Sequence, residues 1–389
     1  MRQVALLFRA FCMLALASTA VLSIAQQPQI VREANEKADS PPAELAPVLK
    51  PILEKYRELP GLVGAIVVGD RTVAIGAVGI RKVGAPEPMT AGDLIHLGSD
   101  TKAMTATLIG KLFESNRLSE KDTMADVFAE LRPSMNSEMA KATVAQLLEH
   151  TAGLPGNVDW WAIDRTKKSL SAQRRMVVEE VLAKAPVNPP GTKYEYSNVG
   201  FVILGAILEQ KTGKPWEELI ANELFKPLGM TTAGFGPPGT PGKVDQPWGH
   251  AIKNGKLEPL QFDNAPLMDP AGRVHCSISD WGKFVSLYLD PERQKPAVLT
   301  AKTIRELTTP GPIGTYAGGW IIAKRSWAGG TALTHAGSNT MWYCVVWAAP
   351  NRHFAVLSAT NVAGQEASKA CDDASAALIK FHAEHMTKR

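Results

Sequence analysis

The chain is poor in cysteine, in net charge and in long apolar runs. Its four cysteines among 389 residues are too few for a disulfide framework, although one bridge among Cys276, Cys344 and Cys371 stays open. Their spacing fits no zinc site, and no His-Glu-x-x-His occurs, so no metal and no cofactor is implied. The formal net charge is only +4, and Arg2 and Arg9 supply two of those charges from the extreme N-terminus. A balance so near zero gives no electrostatic case for nucleic acid or an anionic membrane as partner. Past the first 25 residues no stretch reaches the roughly 20 apolar residues that a membrane span needs. No internal repeat is evident, and nothing fixes the oligomeric state.

Hydrophobic residues nevertheless make up 45% of the chain and charged ones 21%, enough for a large buried core. The N-terminus reads as a signal peptide over residues 1–25. Arg2 and Arg9 form a basic start, Ala10 to Ala25 is almost wholly apolar or small, and Ser23-Ile24-Ala25 is a small-x-small cleavage site. The expected location is periplasmic or secreted. An uncleaved anchor is the alternative, though the apolar run is short for it. Residues 26–44 are polar, carry Pro28, Pro41 and Pro42, and read as a flexible leader.

Helical periodicity through Leu49, Ile52, Leu53 and Tyr56 is followed by two strand-like runs, Leu62–Val68 and Thr72–Val78, split by Gly69-Asp70. Beyond Met89 the pattern turns helical, with segments at Val144–Leu148, Met176–Leu182, Phe201–Thr212 and Pro215–Phe225. After Gly311 strands return at Gly319–Ile322, Ala332–His335, Met341–Ala348 and His353–Thr360, and Gln365 to His385 closes as a helix. His382, Glu384 and His385 are expected on the polar face of that helix. The simplest packing is an α/β (α+β) domain over 45–385. Its two ends (about 45–88 and 311–385) share an antiparallel sheet flanked by terminal helices, and a mainly helical lobe (about 89–310) is inserted.

Three short motifs carry chemistry. In Ser99-Asp100-Thr101-Lys102, Lys102 lies one helical turn beyond Ser99 on the same face. A serine hydroxyl is a weak nucleophile until a neighbouring base takes its proton. Burial and a helix N-terminus can lower a lysine's pKa enough for that task. Alone, the motif fits a capping serine and a solvated lysine better than a catalytic pair. Tyr196-Ser197-Asn198 can relay a proton through the phenol and hold a carbonyl or the lysine through the amide. Alone, it fits a loop turn with Asn198 capping the next helix better. His335-Ala336-Gly337, followed by Ser338, lies between strand-like runs, where a small residue and a glycine let substrate backbone approach. The Ser338 N–H can pair with that of Ser99 as an oxyanion hole, each donor worth roughly 2.7–4 kcal/mol. Lys253-Asn254-Gly255 reads as a hairpin tip instead, and Lys82-Val83-Gly84 precedes the serine, so neither is taken as the third motif.

Ser-x-x-Lys, Tyr-x-Asn and His-x-Gly, in that order, resemble the class C β-lactamase family and its D-peptidase and esterase relatives, a β-lactamase/transpeptidase-like fold. Leu147-Leu148-Glu149-His150-Thr151-Ala152-Gly153-Leu154 and Pro270-Ala271-Gly272 are similar to that family's conserved flanks. The resemblance implies that Ser99 is acylated, that Lys102 and Tyr196 share proton transfer, and that Asn198, His335, Gly337 and Ser338 bind substrate. Glu149 and His150 would shape the cleft wall.

At the third motif β-lactamases usually carry Lys-Thr-Gly. His335 stands in place of that lysine, a histidine is a weaker cation than lysine at neutral pH, and Ala336 lacks a hydroxyl, so carboxylate recognition is expected to be weak. Arg273 is a candidate replacement. The expected substrates are esters or small amides, then D-amino-acid peptides, then β-lactams. A non-catalytic penicillin-binding sensor is the alternative of another class. Trp160-Trp161 and Trp342 fit either an acyl pocket or core anchors.

Overall fold

A computed structural model describes residues 41–291 and 298–386. The signal-peptide reading and most of the leader reading fall outside the described residues. The compact unit begins at Ala43. Ala43–Glu44 already forms a strand, β1, and Leu45 is fully buried, so order begins inside the stretch read as leader.

β2 (Gly61–Val68) and β3 (Arg71–Gly79) form the expected hairpin. Strands β4 (Leu94–His96), β5 (Gly234–Phe235), β6 (Gly249–Lys253), β7 (Lys256–Leu260) and β8 (Val274–Ser277) lie in the mainly helical middle. β9 (Tyr316–Ala317), β10 (Trp320–Arg325), β11 (Gly330–Ser338), β12 (Tyr343–Ala349) and β13 (Phe354–Thr360) follow. The eight-stranded sheet runs β1-β3-β2-β13-β12-β11-β10-β9, antiparallel except for β1 beside β3. The first and last parts of the chain therefore meet at the β2–β13 pair, where Ala65 faces Leu357.

β2 is buried along seven of its eight residues, which is why it reads as one unbroken apolar run. Its two faces serve different layers. Leu62 and Ile66 join Leu49, Val356 and Leu378 under the terminal helices Ala46–Lys55 and Gln365–His385. Val63, Ala65 and Val67 join the larger core with the helices Thr101–Glu114, Asn198–Thr212 and Ile278–Ser286. Gly64 lets the terminal helices sit close: a Cβ there would lie 3.2 Å from both Leu378 and Leu49.

Two sequence expectations need correcting. His382 is buried and stacks on Phe354 with ring centroids 3.9 Å apart, so it faces the sheet rather than solvent. The helix read from Phe201 begins at Asn198, and its cap is Ser197, whose Oγ accepts from the Gly200 N–H at 3.0 Å. Asn198 is thereby freed for another role. The Lys253-Asn254-Gly255 segment is the β6–β7 hairpin tip, with Asn254 at φ 51° and Gly255 at φ 70°.

Candidate active site

Ser99 sits in a short 3-10 turn, Gly98–Asp100, that joins β4 to the helix Thr101–Glu114. Gly98 adopts φ 48°, and a Cβ on it would fall 2.3 Å from the Ser338 backbone nitrogen. Only glycine allows the turn to press so tightly on the end of β11.

The next turn of helix carries Lys102, whose side chain is completely buried. Its Nζ lies 3.1 Å from Ser99 Oγ, 2.8 Å from Asn198 Oδ1 and 2.6 Å from the Ala271 carbonyl. Those three acceptors match the three donors of an ammonium. A neutral amine fits equally: it donates to Asn198 and Ala271 and turns its lone pair to the Ser99 hydroxyl. Burial lowers the Lys102 pKa from 10.5 to about 7, against the opposing pull of Asp100. The group therefore exchanges a proton near neutrality.

Tyr196 reaches the same oxygen, its hydroxyl donating to Ser99 Oγ at 2.7 Å. Burial pushes this phenol well up, the Ser99 hydrogen bond only partly offsetting it, so it stays protonated. Its ring packs on His150 at 4.5 Å between centroids. His150 Nδ1 accepts the Ser197 N–H at 3.1 Å, and Ser197 Oγ donates to the Pro155 carbonyl. The residue between Tyr196 and Asn198 is thus the anchor of both. Burial, with Lys102 and His335 nearby, holds His150 well below its ordinary pKa and so neutral. This buried ring holds the Tyr196 ring and the Ser197 backbone in place.

Asn198 faces two ways. Its Oδ1 accepts from Lys102, while Nδ2 donates to Asn157 Oδ1 at 2.9 Å. Asn157 is fixed in turn by the Trp160 indole N–H at 3.1 Å.

The third motif differs from expectation in its first and third positions. His335 is only 5% exposed; its Nε2 lies 3.2 Å from the Tyr316 hydroxyl and its Nδ1 3.3 Å from Asp100 Oδ1. It faces protein groups, not an open subsite. Gly337 makes room for protein backbone, since a Cβ there would lie 1.9 Å from the Leu97 carbonyl oxygen. Ala336 and Ser338 are the exposed members, Ser338 lying at the end of β11 against the Ser99 turn. Arg273 is not available to a substrate: its guanidinium pairs with Asp269 and lies 3.2 Å from Asp263.

The tryptophans divide. Trp160 and Trp342 are buried, whereas Trp161 is 40% exposed and stacks on the 54% exposed Phe262 at 5.6 Å. The described cysteines, Cys276, Cys344 and Cys371, are free and buried, so no bridge forms among them. Cys344 donates its thiol to Asp100 beside the nucleophile. Among the described residues no helix is long and apolar enough to cross a membrane.

Sequence reading missed the Ala271 carbonyl, Asn157, and the buried pair His96 and Asp263, 2.7 Å apart, of which His96 accepts the N–H of Gly98 beside Ser99. Ala271 lay in a flanking motif that pointed to it. The other three are single residues with no local pattern.

This arrangement has the parts of a serine acyl-transfer site on a mostly antiparallel sheet, and comparison with known proteins agrees. The sequence profile of the family described as "Beta-lactamase" matches residues 49–380, and the chain belongs to that family of serine-hydrolase-like proteins. A curated relative is the unguisins hydrolase ungD of Aspergillus violaceofuscus (strain CBS 115571), 25% identical over 253 residues, covering 61% of this chain and 43% of that one. The chain spans about half the length of the first curated relatives it matches. The octameric penicillin-binding protein homologue from Pyrococcus abyssi superposes with a TM-score of 0.72 at 24% identity, covering 86% of this chain and 77% of that chain. The D-stereospecific amidohydrolase from Streptomyces sp. gives 0.68 at 21% identity, covering 84% and 97%. Both likenesses show the fold.

Proposed function

We propose that the protein is an exported serine hydrolase that forms an acyl-enzyme on Ser99 from an uncharged ester or small amide. One observation carries this reading: Ser99 Oγ is bracketed by a protonated phenol at 2.7 Å and a buried amine at 3.1 Å whose pKa is about 7. The neutral Lys102 takes the serine proton as Oγ bonds to the substrate carbonyl carbon. The carbonyl π pair moves onto oxygen, where the N–H groups of Ser99 and Ser338 hold it. Collapse expels the leaving oxygen or nitrogen, which takes the Tyr196 proton, and the Lys102 ammonium then gives its extra proton to the phenolate, restoring the neutral amine and the phenol. Water repeats the sequence on the acyl-enzyme and frees the acid.

The engagement of His335 and Arg273, the two candidate carboxylate readers among the described residues, favours an uncharged substrate. His335 is enclosed and Arg273 is paired with two carboxylates. An apolar one is favoured by the exposed Trp161–Phe262 stack. Trp161 follows the tryptophan that anchors Asn157 and thus Asn198, and Phe262 precedes Asp263, which bonds the residue after Ser338. A D-amino-acid amide or peptide is the second reading, favoured by the shared fold of the D-stereospecific amidohydrolase.

Intact-mass and peptide mapping after fluorophosphonate and penicillin treatment test the site, with p-nitrophenyl esters, D-alanyl peptides and nitrocefin testing the substrate. The expected result is a single adduct on Ser99, lost in Ser99→Ala, with esters turned over fastest. Labelling of another residue refutes the mechanism, and fast Ser99-dependent nitrocefin turnover refutes the substrate order.

A further inference from the structure

Outside the proton-transfer trio, one buried carboxylate gathers an unusual set of partners. Asp263 Oδ2 lies 2.7 Å from His96 Nε2, and Oδ1 accepts from the Asn339 side-chain amide at 3.0 Å and from the Asn264 N–H at 2.8 Å. The Arg273 Nε is 3.2 Å away. His96, Asp263 and Asn339 are all buried, at 0%, 5% and 2% exposure.

The partners lead directly to the reacting serine. His96 Nδ1 accepts the Gly98 N–H at 3.1 Å, so its proton is on Nε2 and is donated to Asp263. Gly98 precedes Ser99 in the chain. Asn339 follows Ser338, and its Oδ1 accepts the Met341 N–H at 3.1 Å, which fixes the amide's orientation. The carboxylate is therefore one side chain removed from each of the two segments that offer oxyanion-binding N–H groups.

The fold gives this link a purpose. His96 ends β4 in the three-stranded sheet β4-β8-β5, whereas Ser338 ends β11 in the eight-stranded sheet. Among the described residues no strand ladder joins the two, so the sheet hydrogen bonding does not set their relative position. Donors for an oxyanion must be held within about half an ångström to be effective. Burial pushes the Asp263 carboxyl up, but His96 and Arg273 beside it bring it below its ordinary pKa, so it is ionised and accepts on both oxygens.

We propose that Asp263 is a positioning residue for the Ser99 reaction, cross-linking the Gly98–Ser99 turn to the Ser338–Asn339 end of β11 so that their backbone N–H groups converge on one oxygen. The inference rests on the acyl-enzyme reading above.

Asp263→Asn tests it. The isosteric amide sets an N–H donor against either His96 or Asn339, so one link fails while the volume is kept. The acylation rate per fluorophosphonate-titrated site, with a p-nitrophenyl ester, should fall about 10- to 100-fold, with the ester's KM changed less than about threefold. Affinity for a phenylboronic acid, whose tetrahedral adduct uses the same donors, should fall in parallel. Unchanged rate and boronate affinity per titrated site overturn the proposal, whatever happens to the melting temperature. If Asp263→Asn does not fold, His96→Asn keeps an acceptor for the Gly98 N–H but cuts the tie to Asp263, and Asn339→Ala cuts the other. Because both act through one carboxylate, the double variant should lose less than the product of the single losses, and multiplicative losses overturn the link. A wild-type protein unlabelled at Ser99 overturns both this and the acyl-enzyme reading, whereas a labelled wild type beside an unimpaired Asp263→Asn overturns this one alone.

Discussion

At the residue scale, the reaction turns on which group at Ser99 lacks its proton at neutral pH. Lys102 and Tyr196 are both buried, and burial disfavours the charged form of each. For the lysine that moves the pKa down to about 7; for the tyrosine it moves further up. In the proposed reaction the amine is thus the proton acceptor and the phenol the donor. The value of kcat/KM should rise with pH through about 7 as Lys102 loses its proton, and a rate flat from pH 5 to 9 would sink the assignment. Tyr196→Phe should cost about 10² to 10⁴ in acylation rate, least with p-nitrophenyl esters, whose leaving group needs little protonation. The same shift has a stability sign. Between about 7 and the ordinary 10.5 the unfolded chain binds the Lys102 proton and the folded chain does not. Wild-type stability relative to Lys102→Met should therefore increase with pH across that window and level off below it, as equilibrium denaturation at several pH values will show.

At the element scale, the site is a junction between a helix start and a strand end. The motif spacing made the helix legible, since Ser99 and Lys102 share a face. The junction was not legible, because Gly98 and Gly337 are spaced by backbone they meet only in the folded state. Each occupies a position where a Cβ would lie within 2.3 Å of another main chain. Gly337→Ala should therefore drive β11 away from the Ser99 turn, lowering both the melting temperature and the acylation rate per folded site by about 100-fold or more. An alanine variant with wild-type kinetics would show that the turn and the strand are independent.

At the scale of the whole molecule, the two ends of the chain complete each other. The terminal helices cover one face of the sheet, and Ala370, Cys371, Ala374 and Leu378 are fully buried there against residues of β2 and β13. Ending the chain at Gly364 would strip the longer of the two helices from that face and expose most of this core. We expect such a truncation to show no cooperative thermal transition by circular dichroism; a sharp melt near that of the full chain would mean that the opposite core suffices. The sequence pattern anticipated this packing because strands and helices recur at both ends with the mostly helical part between.

The amino-acid sequence alone singled out Ser99, Lys102 and Tyr196 as candidates, because three short motifs in one order carry a signature that none of them carries alone. Fold class was equally readable, since alternating and helical periodicities persist over whole elements. Only the tertiary structure decided that His335 is enclosed, that Arg273 is consumed by Asp263 and Asp269, and that Asp263 ties two sheets together at Ser99. Burial and pairing belong to distances between remote segments, and a linear pattern carries no record of which isolated Asp, Asn or His will find one another once the core closes.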